Sequence, residues 1–250
     1  MLIKYLRLLI ALGDAFFIVW LKFPSASREQ KLNYIRNWSA HVLKVMQIRL
    51  HASLAYGIKE LPQSQLLVAN HVSWLDVLVI QSIQPSVFIA KSEVRRWPLI
   101  GPLANACGVI FVDRSSPSSA KKMVEDVSSA LQHGYRVAGF PEGTSSEGYV
   151  VSLFHANLFE AAINRDAPVT PVALRYTHTT TRCLCLKAAF VGEIGFIESL
   201  HQIMTEGSIN VDLQFGAALT PQGHSRRTLA HLSHQSVVNQ LISLQNKGIN

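Results

Sequence analysis

The sequence predicts an α/β domain, with a mixed central sheet flanked by helices, that follows a pair of N-terminal helices. From about Leu66 onward, short apolar runs alternate with helix-like stretches, which is the pattern of an α/β fold. The first fifty residues instead contain one long apolar run and one stretch of helical periodicity. A chain of 250 residues with 48% hydrophobic content can bury a full core and is short enough for one domain. We therefore expect N-terminal helices over residues 1–52 and a single domain over residues 53–250.

The first element is an apolar run from Leu8 to Leu21, which follows Lys4 and Arg7. The run has fourteen residues, whereas a helix that spans a bilayer needs about 20. It also carries Asp14 at its centre, where a carboxylate in hydrocarbon is costly. A secretory signal has the same order of basic and apolar residues, but Asp14 and Lys22 fit that pattern poorly. The run therefore predicts a membrane-associated helix rather than a simple span.

The second element is an amphipathic basic helix. Its apolar residues recur at steps of three and four, with basic side chains nearby: Ile35, Trp38, Val42 and Val45, with Lys31, Arg36, Lys44 and Arg49. Such a helix either packs on the following domain or lies with the first helix in one leaflet of a membrane. Trp20 and Trp38 suit the level of the lipid headgroups. We favour the second interpretation, an N-terminal membrane-associated helical pair that is monotopic or forms a single anchor.

The charge balance agrees with a membrane partner. Lys and Arg total 23 against 16 Asp and Glu, a net charge of +7 that favours anionic partners. Only 16% of the residues are charged, which is low for a protein that binds nucleic acid. We therefore predict membrane lipids as partners, and no nucleic acid.

The later elements are short strands and longer helices. A helix over residues 120–132 is expected to be capped by Ser118 or Ser119 and to end near Gly134, since serine accepts from free amides and glycine permits a left-handed exit. A closing helix is predicted from Arg226 to Gln245. Strands are predicted over residues 66–69, 86–90, 109–113, 135–140, 168–176, 183–191 and 209–216.

The segment Asn70 to Asp76, NHVSWLD, follows the first of these strands directly. His71 and Asp76 are five residues apart, which on a regular helix places their side chains about 140° from each other. They can meet only if His71 lies in the turn before a helix and Asp76 in its first turn. If they meet, the imidazole can take a proton from an attacking hydroxyl while the carboxylate fixes its tautomer. Taken alone, a pair at this spacing is a weak signal and is more often structural than catalytic.

A second segment, Gly108 to Arg114 (GVIFVDR), ends a strand with a pair of charges. The forked guanidinium of Arg114 can hold a phosphate or another anionic headgroup. Its alternative role is a salt bridge to Asp113 or Glu125.

A third segment, Phe140 to Thr144 (FPEGT), predicts a sharp turn after a strand. Its amides and the Glu142 carboxylate can meet polar ligand atoms, or the turn is only a connection. A fourth segment, Val169 to Leu174 (VTPVAL), contains Pro171, which predicts an edge strand or a bulge, and the segment supports the sheet or lines the site.

With these four segments in this order, the chain from about Leu66 to Tyr176 resembles the glycerophospholipid acyltransferase family, typified by bacterial 1-acylglycerol-3-phosphate acyltransferase, whose hallmark is H-x4-D. The resemblance implies a single acyltransferase domain. It implies His71 and Asp76 as the catalytic residues. It also implies a site for the acceptor substrate, formed by Arg114, Glu142, Gly143 and Thr144.

The implied reaction moves a fatty acyl group from acyl-ACP or acyl-CoA to the hydroxyl of a lysophospholipid, first of all 1-acyl-sn-glycerol-3-phosphate, to give phosphatidic acid. His71 acts as the base in a direct transfer without an acyl-enzyme. Amides near Gly143 or Ser73 are expected to stabilise the oxyanion. The resemblance implies no cofactor and no metal. Cytosolic donors imply the cytoplasmic face of the inner membrane.

Two departures from the family pattern concern the acceptor. The family commonly has Arg-Ser after FPEGT and Phe-Lys-x-Gly shortly afterwards, whereas this chain has Ser145-Ser146 and Phe154-His155-Ala156. The loss of two cations weakens the case for a phosphomonoester headgroup, although Lys91, Arg95 and Arg96 could compensate. The pattern is similar to that of the lyso-ornithine lipid acyltransferases, so lyso-ornithine lipid is the alternative acceptor.

Other function classes find less support. The chain contains no G-x-S-x-G elbow of a serine hydrolase. Gly143 and Gly148 have the spacing of a phosphate loop, but Tyr149 occupies the position of its lysine. A noncatalytic membrane lipid-binding module remains the alternative of another class.

The three cysteines, Cys107, Cys183 and Cys185, are too few for a disulfide framework. Their odd number and the lack of histidine neighbours argue against a zinc site. We expect reduced, mostly buried thiols.

Overall fold

The computed structural model describes residues 1–55, 61–113 and 117–247. The helices are α1 (Leu2–Phe17), α2 (Arg28–Val45), α3 (Leu75–Ile83), α4 (Ile100–Ala106), α5 (Pro117–Gln132), α6 (Phe159–Asn164), α7 (Phe196–Glu206) and α8 (Arg226–Lys247). The strands are β1 (Ile48–Leu54), β2 (Leu66–Ala69), β3 (Val87–Lys91), β4 (Ile110–Val112), β5 (Val137–Gly139), β6 (Val169–His178) and β7 (Ile209–Phe215). The predicted α/β class with a mixed sheet is confirmed.

The described strands form one seven-stranded sheet in the order β1-β7-β6-β2-β5-β3-β4. Strands β6 and β7 are antiparallel, and the other neighbours are parallel. Val68 of β2 lies opposite Gly139 of β5, so these two central strands end together at one edge of the sheet. The turns that follow them carry His71 and Glu142, which are therefore brought to the same edge.

The core lies on both faces of the sheet. Strand β2 is almost fully buried, and its alternate residues belong to two different apolar clusters. Leu67 packs in the cluster that includes Leu43 of α2 and Val79 of α3, whereas Leu66 packs in the cluster that includes Val127 of α5 and Leu229 of α8. A sheet buried on both faces by helices holds its strand ends rigidly, which is what a catalytic site at those ends requires.

The two N-terminal helices differ in how much of their apolar surface the protein buries. Helix α2 begins at a capping box formed by Ser27 and Gln30, and its Val42 and Leu43 are buried in the core. The C-terminal part of the apolar face of α2 therefore packs on the domain, in line with the alternative interpretation, and the membrane association of the helical pair stays a prediction. Helix α1 instead leaves much of its apolar surface exposed. Among the described residues, no helix is both long enough and apolar enough to cross a membrane.

Several predicted elements need correction. The strand predicted over residues 183–191 is wrong, since this segment makes one isolated bridge from Leu184 to Thr177 and a short 3-10 helix. Strand β1 was not predicted, and it spans the expected boundary between residues 52 and 53. Helix α5 begins at Pro117, so Ser118 and Ser119 lie in its first turn rather than at its cap. After the helix, Gly134 has the expected positive φ of 75°.

Pro171 lies inside the sheet and not at an edge, because β6 pairs with β2 on one side and β7 on the other. Its carbonyl accepts from the amide of Gly216 at the point where β7 ends. Val169 then pairs with Leu219, a shift of one residue relative to the β6-β7 register. The bulge alternative is therefore correct, and it tolerates the missing N–H of proline.

Candidate active site

The site is built on the turn between β2 and α3. Strand β2 ends at Ala69 and α3 begins at Leu75, so His71 lies in the connecting turn and Asp76 in the first helical turn. The His71 Nδ1 atom lies 2.8 Å from Asp76 Oδ2. The two side chains therefore meet in the way that their spacing required.

Asp76 is fully buried and accepts four hydrogen bonds. Besides His71, its Oδ2 accepts from the amides of Val72 at 2.8 Å and Ser73 at 3.0 Å. Its Oδ1 accepts from the hydroxyl of Tyr176 at 2.7 Å. Burial, and next the negative charge of Asp76, raise the pKa of Tyr176 well above its ordinary value, so the phenol keeps its proton and donates it. These donors satisfy a carboxylate that would otherwise be costly to bury.

The contact with Asp76 sets the tautomer of His71. A carboxylate acceptor at Nδ1 places the proton of the neutral ring on Nδ1 and leaves the lone pair on Nε2. The side chain of His71 is 23% exposed, so an outside group can reach the ring. The pair can therefore act as a general base.

The ring and backbone of His71 are held from three further directions. The imidazole stacks on Phe140, with ring centroids 4.0 Å apart and planes inclined by 10°. Its carbonyl accepts from the amide of Ser146 at 2.9 Å. Its amide donates to Glu142 Oε1 at 2.6 Å. The turn that follows β5 thus fixes the histidine that follows β2.

Glu142 is only 5% exposed, and both of its oxygens are engaged. The second, Oε2, accepts from the amide of Ser152 at 2.7 Å. Burial raises the pKa of Glu142, and the hydrogen bonds from the amides of His71 and Ser152 oppose that shift. The geometry favours an orienting role for this carboxylate over direct contact with a substrate.

The other residues of the predicted acceptor site differ from Glu142 in their surroundings. Gly143 has a φ of 79° and its amide donates to the carbonyl of Phe140, which closes the turn. Thr144 is exposed beside it. Arg114 lies outside the described residues. The amides of Ser73 and Gly143 both have acceptors within the protein, so neither of these two amides is available as the predicted oxyanion donor.

Further cations lie at the same edge of the sheet. Lys91 is the last residue of β3 and lies opposite Val112, the last residue of β4. Lys91, Arg95 and Arg96 are exposed, and the Arg95 guanidinium lies 5.6 Å from the centre of the Phe111 ring. These three positive charges are available to an anionic headgroup at the strand ends.

Sequence reasoning gave no role to three residues that support the site. The side-chain nitrogen of Asn70 donates to the carbonyl of Leu174 at 2.9 Å, and its side-chain oxygen accepts from the amide of Leu174 at 2.8 Å. These two bonds tie the turn to β6. Phe140 supplies the ring under His71. The signal for both was their position inside the quoted motifs. Tyr176 is one hundred residues from Asp76 and carries no local signal that it reaches that carboxylate.

The chain is similar to several known proteins. A family model described as acyltransferase matches residues 54–175. The chain is 35% identical over 205 residues to a lyso-ornithine lipid O-acyltransferase of Rhizobium meliloti, covering 77% of this chain and 68% of that protein. It is 32% identical over 193 residues to a protein of the same name in Pseudomonas aeruginosa, covering 76% and 74%. It is 34% identical over 156 residues to a 1-acyl-sn-glycerol-3-phosphate acyltransferase of Neisseria gonorrhoeae, covering 62% and 60%.

A solved structure has the same fold. The crystal structure of a 1-acyl-sn-glycerophosphate acyltransferase from Thermotoga maritima superimposes with a TM-score of 0.67. The match covers 97% of this chain and 98% of that chain, at 19% sequence identity. The two chains therefore share one fold over almost their whole length.

Proposed function

Because the chain belongs to the acyltransferase family, we propose that it transfers a fatty acyl group from a thioester donor to the hydroxyl of a lysolipid, with His71 as the general base. The observation that carries the proposal is the 2.8 Å contact between His71 Nδ1 and a buried Asp76, which leaves Nε2 free to accept a proton.

The proposed reaction is a direct transfer. His71 Nε2 takes the proton of the acceptor hydroxyl as the oxygen attacks the thioester carbonyl. The tetrahedral intermediate then collapses, the carbon–sulfur bond breaks, and the imidazolium returns the proton to the leaving thiolate. Asp76 stabilises the imidazolium between these steps, and a positioned base of this kind contributes about 10²- to 10⁴-fold to the rate. The products are the acylated lipid and a free thiol, and no side chain is acylated.

The acceptor that we propose first is 1-acyl-sn-glycerol-3-phosphate, which gives phosphatidic acid. Lys91, Arg95 and Arg96 at the strand ends support it, because several cations suit a phosphomonoester. Lyso-ornithine lipid is the second candidate. The Ser145 hydroxyl donates to the carbonyl of Phe190, so a serine with a structural contact stands where the family commonly has an arginine. The amide of Ser146 donates to the His71 carbonyl.

The proposed donor is acyl-ACP or acyl-CoA, used at the cytoplasmic face of the inner membrane. The exposed apolar side of α1 supports a monotopic attachment, since Leu9 is 66% exposed and Trp20 just beyond the helix is 67% exposed. Each large apolar side chain that leaves water for the lipid contributes about 1.5 to 3 kcal/mol. Attachment by this helix would hold the site next to acceptor and product, which both reside in the bilayer.

The deciding experiment compares acceptors on one preparation. Purified full-length protein is given acyl-ACP or acyl-CoA with lysophosphatidic acid or lyso-ornithine lipid, and the product is measured by mass spectrometry. We expect turnover with one acceptor and a loss of at least about 10²-fold in His71→Ala. A His71→Ala protein that kept its turnover would refute the base assignment. Lipid binding without turnover by the wild type, with every donor and acceptor, would favour the noncatalytic module.

A further inference from the structure

A second cluster of reactive side chains lies at the far end of β6. The strand ends at His178, and the chain folds back beside it through the bridge between Thr177 and Leu184. The amide of Cys185 donates to the carbonyl of Tyr176 at 3.0 Å. Since neighbours two residues apart on a strand share a face, His178 and Tyr176 point to the same side of the sheet. Cys185, opposite Tyr176, is buried on that side.

The third member comes from another element. Glu206 is the last residue of α7, and its Oε1 lies 2.7 Å from His178 Nδ1. The Sγ of Cys185 belongs to the same group, in which all three potential ligand atoms lie within 4.8 Å of one another. The other carboxylate oxygen of Glu206 lies 2.8 Å from Lys187 Nζ. A nitrogen, a sulfur and an oxygen donor from three separate elements therefore converge on one point.

We propose that His178, Cys185 and Glu206 form a binding site for zinc. Imidazole, thiolate and carboxylate are the three side-chain ligands that this dication prefers. Bond lengths of about 2.0 to 2.3 Å in a tetrahedral site place ligand atoms about 3.3 to 3.8 Å apart. The separations in the cluster, 2.7 Å between the nitrogen and the oxygen and no more than 4.8 Å for any pair, lie on both sides of that spacing.

The charges of the three ligands suit a dication. When zinc binds Nδ1 of His178, the proton of the neutral ring moves to Nε2, and the thiol proton of Cys185 is released to solvent, since thiolate is the form that binds metal. Two negative ligands then neutralise the metal. Three protein ligands leave a fourth position for water, and Lys187 still pairs with the free carboxylate oxygen.

The site has a structural consequence for the catalytic centre. It would clamp the segment after β6 to the end of α7, next to the strand residue Tyr176 that supports Asp76. A ligand that binds only the folded chain at 100 times its Kd raises the unfolding midpoint of a protein of this size by about 5 to 10 °C. This proposal does not depend on the acyltransferase function.

The experiment uses cobalt as a spectroscopic substitute for zinc. Full-length protein without a histidine tag is stripped with a chelator and titrated with Co²⁺. We expect one Co²⁺ per chain, with the near-ultraviolet thiolate band and the visible bands of a tetrahedral site, displaced by Zn²⁺. Zn²⁺ should also raise the unfolding midpoint.

Variants identify the ligands. Cys185→Ser should lose the thiolate band, whereas Cys183→Ser, two residues away and exposed, is the matched control and should keep it. His178→Gln, whose side chain is partly exposed and tolerates exchange, should weaken Co²⁺ binding at least about tenfold. No thiolate band in the wild type, or a band that survives in Cys185→Ser, would overturn the proposal. If Cys185→Ser fails to fold, unchanged affinity in His178→Gln would overturn it equally.

Discussion

Replacement of Glu142 by Gln tests whether this carboxylate positions His71 or contacts the acceptor. The carboxylate accepts from the amides of His71 at 2.6 Å and Ser152 at 2.7 Å. Gln has only one acceptor oxygen, so its NH₂ group must face one of these N–H donors. The loss of one charge-assisted hydrogen bond in a buried place costs about 1.5 to 3 kcal/mol. If that energy serves to hold His71, kcat falls by about 10- to 150-fold.

The assay is steady-state kinetics with varied acceptor, on wild type and variant. We expect the loss in kcat and a nearly unchanged acceptor KM, because both carboxylate oxygens already have protein partners. Glu147→Gln is the matched control, since it makes the same change at an exposed position of the same loop and should leave kcat and KM unchanged. A large rise in acceptor KM with unchanged kcat would refute the positioning role and support direct contact between Glu142 and the acceptor.

The pH dependence of stability gives a second test of the same residue. Because burial raises the pKa of Glu142, the folded protein takes up its proton at a higher pH than the unfolded chain does. Wild type therefore gains stability relative to Glu142→Gln as the pH falls through the raised pKa towards the ordinary carboxyl value, and loses it as the pH rises again. Thermal unfolding of both proteins over this pH range measures the difference in their stability. A stability of wild type that fell relative to Glu142→Gln on acidification would contradict the buried carboxyl.

Two further changes test the support of Asp76 and the exposed face of α1. Tyr176→Phe removes one of four hydrogen bonds to Asp76. In steady-state assays we expect kcat to fall by about 10-fold, with the acceptor KM unchanged. An unchanged kcat would show that the other hydrogen bonds are enough to hold Asp76. The double variant Leu6→Glu and Leu9→Glu places charges on the exposed apolar face of α1. In vesicle sedimentation the variant should bind lipid at least about 10-fold more weakly than wild type. Its turnover of a short-chain acceptor in solution should be retained. Equal sedimentation of both proteins would refute attachment by this face.

Parts of the fold follow closely from local pattern. The run LLVA is continuously apolar and becomes β2, a central strand buried on both faces. The closing helix was expected from Arg226 to Gln245 and extends to Lys247. The return segment after β6 shows where this reasoning fails. Its apolar residues suggest a strand, but the segment makes only one isolated bridge to β6, between Leu184 and Thr177, and then turns into a short 3-10 helix.

The N-terminal region shows a different limit. Periodicity correctly predicts that α2 is an amphipathic helix, but it cannot say whether protein or lipid covers the apolar face. The packing of Val42 and Leu43 into the core answers this for the C-terminal part of the helix. Helix α1 differs, because many of its large apolar side chains stay exposed, Leu2, Leu6 and Leu9 among them.

The sequence by itself determined the α/β class and the spacing that lets His71 meet Asp76, because both depend on residues close together in the chain. Only the tertiary structure decided that Tyr176 completes the support of Asp76 and that Glu142 holds the histidine amide. Only the tertiary structure also brought His178, Cys185 and Glu206 together, which no local pattern indicated. These contacts depend on strand order and register, which place residues one hundred or more positions apart side by side, and local periodicity carries no record of that pairing.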